Sequence, residues 1–145
     1  MNLEAVQGEF TGACLCGAVR FRIHSALAPI QICHCPQCGK AQGGPFATNI
    51  PVARSAFEIV GGLDQLRRYE STPGKFRHFC GRCGSPIYSS REALPLLVRV
   101  RAGLIDGPLP VRPQSQAFVE AKANWWTIDD RLPAFPRARD GAADP

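Results

Sequence analysis

Apolar and polar positions alternate with a period of two through much of this chain. Val19, Phe21 and Ile23 point one way and Arg20 and Arg22 the other, which predicts a half-buried strand over 18–23. Residues 30–35 predict a second strand. Phe46, Thr48 and Ile50 alternate as far as Pro51, whose missing N–H predicts a strand end or an edge position. The apolar stretch 57–60 closes at Gly61 and Gly62. Residues 66–69 and 76–79 read as paired strands joined by a turn at Thr72, Pro73 and Gly74. Stretches 87–89, 96–101 and 116–119 supply further strands, with a glycine- and proline-rich loop from 103 to 113. No amphipathic helix of three turns stands out, and 89–97 holds one helical turn at most before Pro95 interrupts it. The expectation is one mainly β domain of short antiparallel strands over 1–136. The small, polar and charged residues 137–145 are expected to form a disordered tail.

Composition narrows this picture. At 145 residues, with 45% hydrophobic and 20% charged positions, the chain is the size and make-up of one globular domain. No run of about 20 apolar residues predicts a membrane span. The first twelve residues carry Glu4 and Glu9 and lack a basic region followed by an apolar one, so no signal peptide is expected. A reducing, cytoplasmic setting follows. Seven cysteines in that setting point to metal ligands or redox chemistry rather than to disulfides.

The formal net charge of +5 counts those cysteines as neutral. Seven zinc-bound thiolates and two zinc ions together remove three charges and leave about +2. Arg20 with Arg22, and Arg99 with Arg101, alternate with apolar residues, as charges on the wet face of a strand do. A nucleic-acid partner is therefore not expected.

The cysteines fall into three clusters: Cys14-Leu15-Cys16, Cys33-His34-Cys35-Pro36-Gln37-Cys38, and Cys80-Gly81-Arg82-Cys83. The simplest partition is four and three. Cys14, Cys16, Cys80 and Cys83 would complete a tetrahedral structural zinc site that ties the N-terminal strand to a distant hairpin. Cys33, Cys35 and Cys38 would form a three-cysteine site whose fourth position admits an outside thiol. On spacing alone, Cys14 and Cys16 can instead pair with members of the middle cluster. The three-cysteine site can also be closed by His34, His78, a carboxylate or a neighbouring chain, or hold no metal and act as a redox thiol pair. His34 sits in an extended C-x-C and faces away from both flanking sulfurs.

These clusters and their flanks resemble the glutathione-dependent formaldehyde-activating enzyme family, which includes centromere-protein-like relatives. The resemblance rests on Gly12 to Val19, on Cys33 to Lys40 with Gly43, and on Phe79 to Ile87. The C-terminal segment from Trp125 or Trp126 through Asp130, Leu132, Pro133 and Phe135 adds to it. It implies a β-tent zinc fold, structural zinc on Cys14, Cys16, Cys80 and Cys83, and catalytic, labile zinc on Cys33, Cys35 and Cys38. The activity it implies is a carbon–sulfur lyase: glutathione and formaldehyde in balance with S-(hydroxymethyl)glutathione. Glutathione or another thiol and a small aldehyde are then the partners. Where the family often carries a histidine before the last aromatic segment, this chain has Gln116, which donates hydrogen bonds but does not titrate. Lys40, Arg67, Arg68 and Lys75 are candidate anchors for the glutathione carboxylates. The alternative to an enzyme is a zinc-stabilised binding module or thiol carrier, with an occluded three-cysteine site. The oligomeric state is not legible.

Overall fold

The apolar face read from 18–23 is the heart of the molecule. In the computed structural model, which describes residues 5–139, Phe21 and Ile23 are 1% and 0% exposed, while Arg20 and Arg22 between them face outward. They lie on β2 (Arg20–Ile23), the middle strand of a three-stranded sheet with β1 (Phe10–Ala13) and β5 (Phe57–Gly61). The second sheet has seven strands: β3 (Ile30–Cys33), β4 (Ala47–Ala53), β6 (Leu66–Thr72), β7 (Lys75–Cys80), β8 (Pro86–Arg91), β9 (Leu94–Arg101) and β10 (Pro113–Ala117). Their order is β10-β3-β4-β9-β8-β7-β6. One core cluster joins Val19, Phe21 and Ile23 of the small sheet region to Ile50, Val52, Ile87, Val98 and Val100 of the large sheet. Phe57 bridges the two layers, with ring centroids 5.4 Å from Phe21 and 4.8 Å from Tyr88. Truncating the wholly enclosed Phe21 ring to alanine is expected to cost ~3–5 kcal/mol, read as a lowered denaturant midpoint at constant slope.

Burying one face of the large sheet directs the other face elsewhere, because side chains alternate along a strand. Val98 and Val100 enter the core, so Arg99 and Arg101 emerge on the opposite side. Asn49 pairs with Arg101, Ser89 with Arg99, Arg77 with Ser89, and Lys75 with Arg91, which makes that side a polar and cationic surface. It is not the solvated charge row that alternation predicts: Arg101 is only 3% exposed and Lys75 8%. Arg101 Nη1 donates to Asn49 Oδ1 and Ser89 Oγ. Arg20 and Arg22 do face solvent.

Three local expectations need correction. Pro51 lies inside β4, a central strand, and pairs with Arg99. The β3 register reaches only Asn49, so beyond it that side of β4 has no β3 partner, and a residue without an N–H is tolerated. Residues 89–97 form no helical turn; they hold the β8–β9 hairpin, with Arg91 opposite Leu94. The last strand is Pro113–Ala117 rather than 116–119, and it runs parallel to β3, the one parallel pairing between the strands described here. A helix, α1 (Pro36–Gln42), follows β3. Of the proposed tail, 140–145 lies outside the described residues. The carbonyl of Arg137 accepts from Phe118 N at 3.0 Å.

Candidate metal centres and their cleft

The seven cysteines gather as four and three. Cys14 and Cys16 follow β1, and Cys80 ends β7, with Cys83 one turn beyond. All four sulfurs lie within 4.8 Å of one another. Sγ–Sγ separations are 3.6 Å for Cys14–Cys16 and 3.9 Å for Cys16–Cys80. Four metal–sulfur bonds of ~2.3 Å at tetrahedral angles give edges of ~3.8 Å. The donor set therefore fits a tetrahedral thiolate-bound ion.

The backbone turns around these sulfurs. Gly17 and Gly84, at φ +79° and +81°, close the two knuckles in the left-handed region that glycine enters without strain. Val19 N donates to Cys14 Sγ at 3.2 Å, a bond that favours the Cys14 thiolate, and Arg82 N donates to Cys80 Sγ at 3.4 Å. Ser85 joins the halves: its Oγ accepts from Leu15 N at 2.9 Å and lies 3.3 Å from Cys83 Sγ. Hydrogen bonding from Ser85 draws the Cys83 thiol down to about 5.

The second cluster is built on the helix that periodicity did not show. Cys35 is the N-cap of α1 at φ −64°, ψ 150°, and its Sγ accepts from Cys38 N at 3.2 Å. Pro36 follows, where a missing N–H costs nothing. α1 has only seven residues, too few for a helical stripe. Its signal is the cap, the proline and Gly43 just past the end, at φ +71°. This turn puts Cys38 back beside Cys33, and the three sulfurs lie within 4.8 Å of one another. Cys35 and Cys38 are each 2% exposed.

Cys33 is pushed up by its side-chain hydrogen bonds to Cys35 and Cys38, by burial and by their charges. Cys38 is drawn down to about 2 by hydrogen bonds from Cys33 and Cys35, helped by the charges of Lys75 and Arg77. The trio thus readily holds one thiolate. Three thiolates this close repel one another, and a cation among them relieves that.

No fourth ligand-type side chain among the described residues joins this trio. The two histidines named from sequence are engaged elsewhere. His78 stacks on Tyr88 at 4.0 Å and its Nε2 lies 3.0 Å from Ser90 Oγ. His34 is 2% exposed, and its Nε2 lies 2.7 Å from Gln116 Oε1. Gln116 Nε2 donates to Asp130 Oδ1 at 2.8 Å, so Oε1 is the acceptor and His34 carries its proton on Nε2. Asp130 Oδ1 also accepts from Leu132 N at 3.1 Å. Gln116 therefore pins the C-terminal segment to the back of the three-cysteine strand. Gln116→Leu strands a buried N–H and a carboxylate, and is expected to cost ~1–3 kcal/mol, measured by thermal or denaturant unfolding.

A cleft of about 360 Å³ opens beside the trio. Cys33 and Cys38 form part of its wall, with Asn49, Lys75, Arg91 and Arg99 from the polar face of the large sheet. Phe118, at φ +59° and packed against the cysteine cluster, shapes the rim. It is the one non-glycine residue with positive φ among those described, and nothing in the sequence marks it. Of the four anchors named from sequence, only Lys75 lines this cleft. Arg67 Nη1 donates to Asp64 O at 2.7 Å, and the Arg68 guanidinium lies 4.3 Å from the centre of the Phe76 ring. Burial and the charge of Arg77 bring Lys75 down to about 8. Among the described residues, Lys75, Arg77, Arg99 and Arg101 have no carboxylate partner. The ion pairs lie elsewhere, at Glu9, Glu58 and Glu120.

Two sheets around one core, two clusters of thiols and a cationic cleft at the smaller cluster define a cysteine-rich β-tent protein. A family model described as glutathione-dependent formaldehyde-activating enzyme matches residues 9–121. The chain belongs to that family. It is 36% identical over 129 residues to a Halomonas elongata protein named "Putative glutathione-dependent formaldehyde-activating enzyme", covering 83% of this chain and 81% of that one. A crystal structure of a Rhodobacter sphaeroides protein superposes with a TM-score of 0.59 at 24% identity, covering 72% of this chain and 99% of that one, and shares the fold. No helix among the described residues is long and apolar enough to cross a membrane.

Proposed function

We propose that the protein is a zinc-dependent carbon–sulfur lyase that joins glutathione, or a similar thiol, to a small aldehyde and splits the adduct again. The observation that carries this reading is the three-cysteine cluster without a fourth ligand among the described residues, set in the wall of a cationic cleft. Zinc is the ion we assign to both clusters, because four and three thiolates are its structural and open-site donor sets. Cys14, Cys16, Cys80 and Cys83 hold the structural ion. Cys33, Cys35 and Cys38 hold the catalytic one. When bound there, zinc supplies a coordination position in which an outside thiol rests as thiolate, the form that adds to an aldehyde carbon.

The chain's own groups do the rest. Three thiolates around a divalent ion leave one negative charge, and an incoming thiolate makes it two. Lys75, Arg77, Arg99 and Arg101, buried or half-buried on the adjacent strands, offset that charge. Glutathione brings two carboxylates and one ammonium. Lys75, Arg91 and Arg99 line the cleft where those carboxylates would lie. The cleft volume falls within the ~300–1,000 Å³ usual for small-molecule sites. Seven ligand thiols need a reducing compartment, from which we infer a cytoplasmic protein.

A non-catalytic binding module on the same scaffold needs no cleft at the trio. The test is the rate of condensation of glutathione with formaldehyde, with and without the zinc-loaded protein. The protein is expected to accelerate it above the spontaneous reaction. Arg91→Ala is expected to raise KM for glutathione about tenfold with kcat nearly unchanged. No acceleration over the spontaneous rate, with thiol binding intact, would instead indicate a thiol carrier.

A further inference from the structure

A second cavity, of about 410 Å³, is lined by Arg77, Phe79 and Arg101 from the same face of the large sheet, with His78 and Tyr88 also on its wall. Along β7, Lys75 belongs to the thiol cleft and Arg77 and Phe79 to this cavity. Along β9, Arg99 belongs to the cleft and Arg101 to this cavity. Side chains two apart on a strand share a face and are spaced by ~7 Å. The two cavities therefore follow one another along the strands, with Arg77 and Arg101 next to the divide. The thiol chemistry proposed above makes no direct use of the second one.

Its walls have two characters. Tyr69, Phe79 and Pro86 supply apolar surface, and Gln42, Arg77 and Arg101 supply donors. Four of those donors have no hydrogen-bond partner among the described residues: Arg77 Nη1 and Nη2, Arg101 Nε and Gln42 Nε2, all buried. Leaving a buried donor unpaired is unfavourable, and here four such donors sit on three side chains that line one cavity. They are all N–H groups, two of the side chains are cationic, and no carboxylate among the described residues lines the cavity. A carboxylate has two oxygens with about four acceptor sites, as many as there are unpaired nitrogens here, and it takes a guanidinium in a forked pair. Arg77 Nε is already used, donating to Ser71 Oγ at 3.1 Å, which leaves the Nη edge for a ligand.

We propose that this cavity is a binding site for a small organic carboxylate with an apolar, flat or branched body, separate from the thiol cleft. The carboxylate pairs with Arg77 and takes further hydrogen bonds from Gln42 and Arg101. The body lies against Tyr69, Phe79 and Pro86. The site stands whether or not the thiol–aldehyde reaction is the protein's activity, because no residue lines both this cavity and the thiol cleft, although the charges of Arg77 and Arg101 also reach the trio.

The test uses the zinc-loaded full chain titrated with benzoate and, separately, with benzamide, its neutral counterpart. Binding is followed by calorimetry and by the side-chain amide NMR signal of Gln42. Benzoate is expected to bind and to shift that signal, and benzamide to bind at least about tenfold more weakly. Gln42→Leu is expected to weaken benzoate several-fold. Ala41→Phe, at an exposed position on the cavity wall, is expected to fill the cavity and abolish benzoate binding while zinc content and glutathione binding stay as in the parent. Equal affinity for the two probes would overturn the proposal. So would benzoate binding that survives Ala41→Phe but is lost on adding glutathione, which would put the anion in the thiol cleft.

Discussion

Cys80→Ser is expected to yield a chain that does not fold cooperatively. Cys80 is fully buried, ends β7 and contributes one of the four sulfurs joining that strand to the segment after β1. In small zinc domains metal binding is worth ~10–16 kcal/mol, as much as a typical domain stability of ~5–15 kcal/mol, so weakening the site threatens the whole fold. Hydrophobic burial alone has little to spare in a chain this size. The measurement is chemical unfolding followed by circular dichroism, with zinc counted on the same sample. A variant that unfolds at the parent midpoint would show that the four-cysteine cluster is not a structural crosslink. Removal of zinc from the parent by a strong chelator should reproduce the effect of the substitution.

Cys38→Ser is expected to do nearly the opposite. Cys38 sits in the first turn of α1, outside the main core cluster, so the two sheets keep their packing. The variant is expected to hold one zinc per chain where the parent holds two. It should unfold close to the parent midpoint and lose at least ~100-fold in adduct formation, since even groups that merely support a metal ligand are worth 10–100-fold. Two zinc ions retained in the variant would break the assignment of the trio as a second metal site. A fold lost with the ion would mean that both clusters are structural.

The three cysteine clusters were legible because ligand spacing is local chemistry, which the chain writes in short motifs. So was the alternation at Val19, Phe21 and Ile23, since one face of β2 is fully enclosed and the other wet. Legibility stopped where tertiary context set the answer. Arg99 and Arg101 alternate with valines as surface charges do, and only the closure of a cleft over that face makes them interior. Pro51 reads as a strand end because sequence does not reveal that β3 pairs with β4 only as far as Asn49. α1 is too short for a periodic stripe, and its cap is a sulfur rather than an oxygen. Gln116 looked like a substitution without a titrating role. Its contribution is a bond to Asp130, 14 residues away, and another to His34, 82 residues away. No local pattern encodes either. The cleft-lining Arg91 and Arg99 do not stand out for the same reason, while Arg67, Arg68 and Lys40, equally basic in sequence, lie outside the cleft.

Everything functional rests on the trio accepting a fourth sulfur from outside. Cobalt in place of zinc reports this directly, because each thiolate bound to cobalt adds to the sulfur-to-metal charge-transfer absorption. Titrating glutathione into the cobalt-loaded protein is predicted to raise that band saturably, to an end point of one added thiolate per chain, with no such rise in Cys38→Ser. A spectrum that glutathione leaves unchanged, with both sites full, would contradict the account.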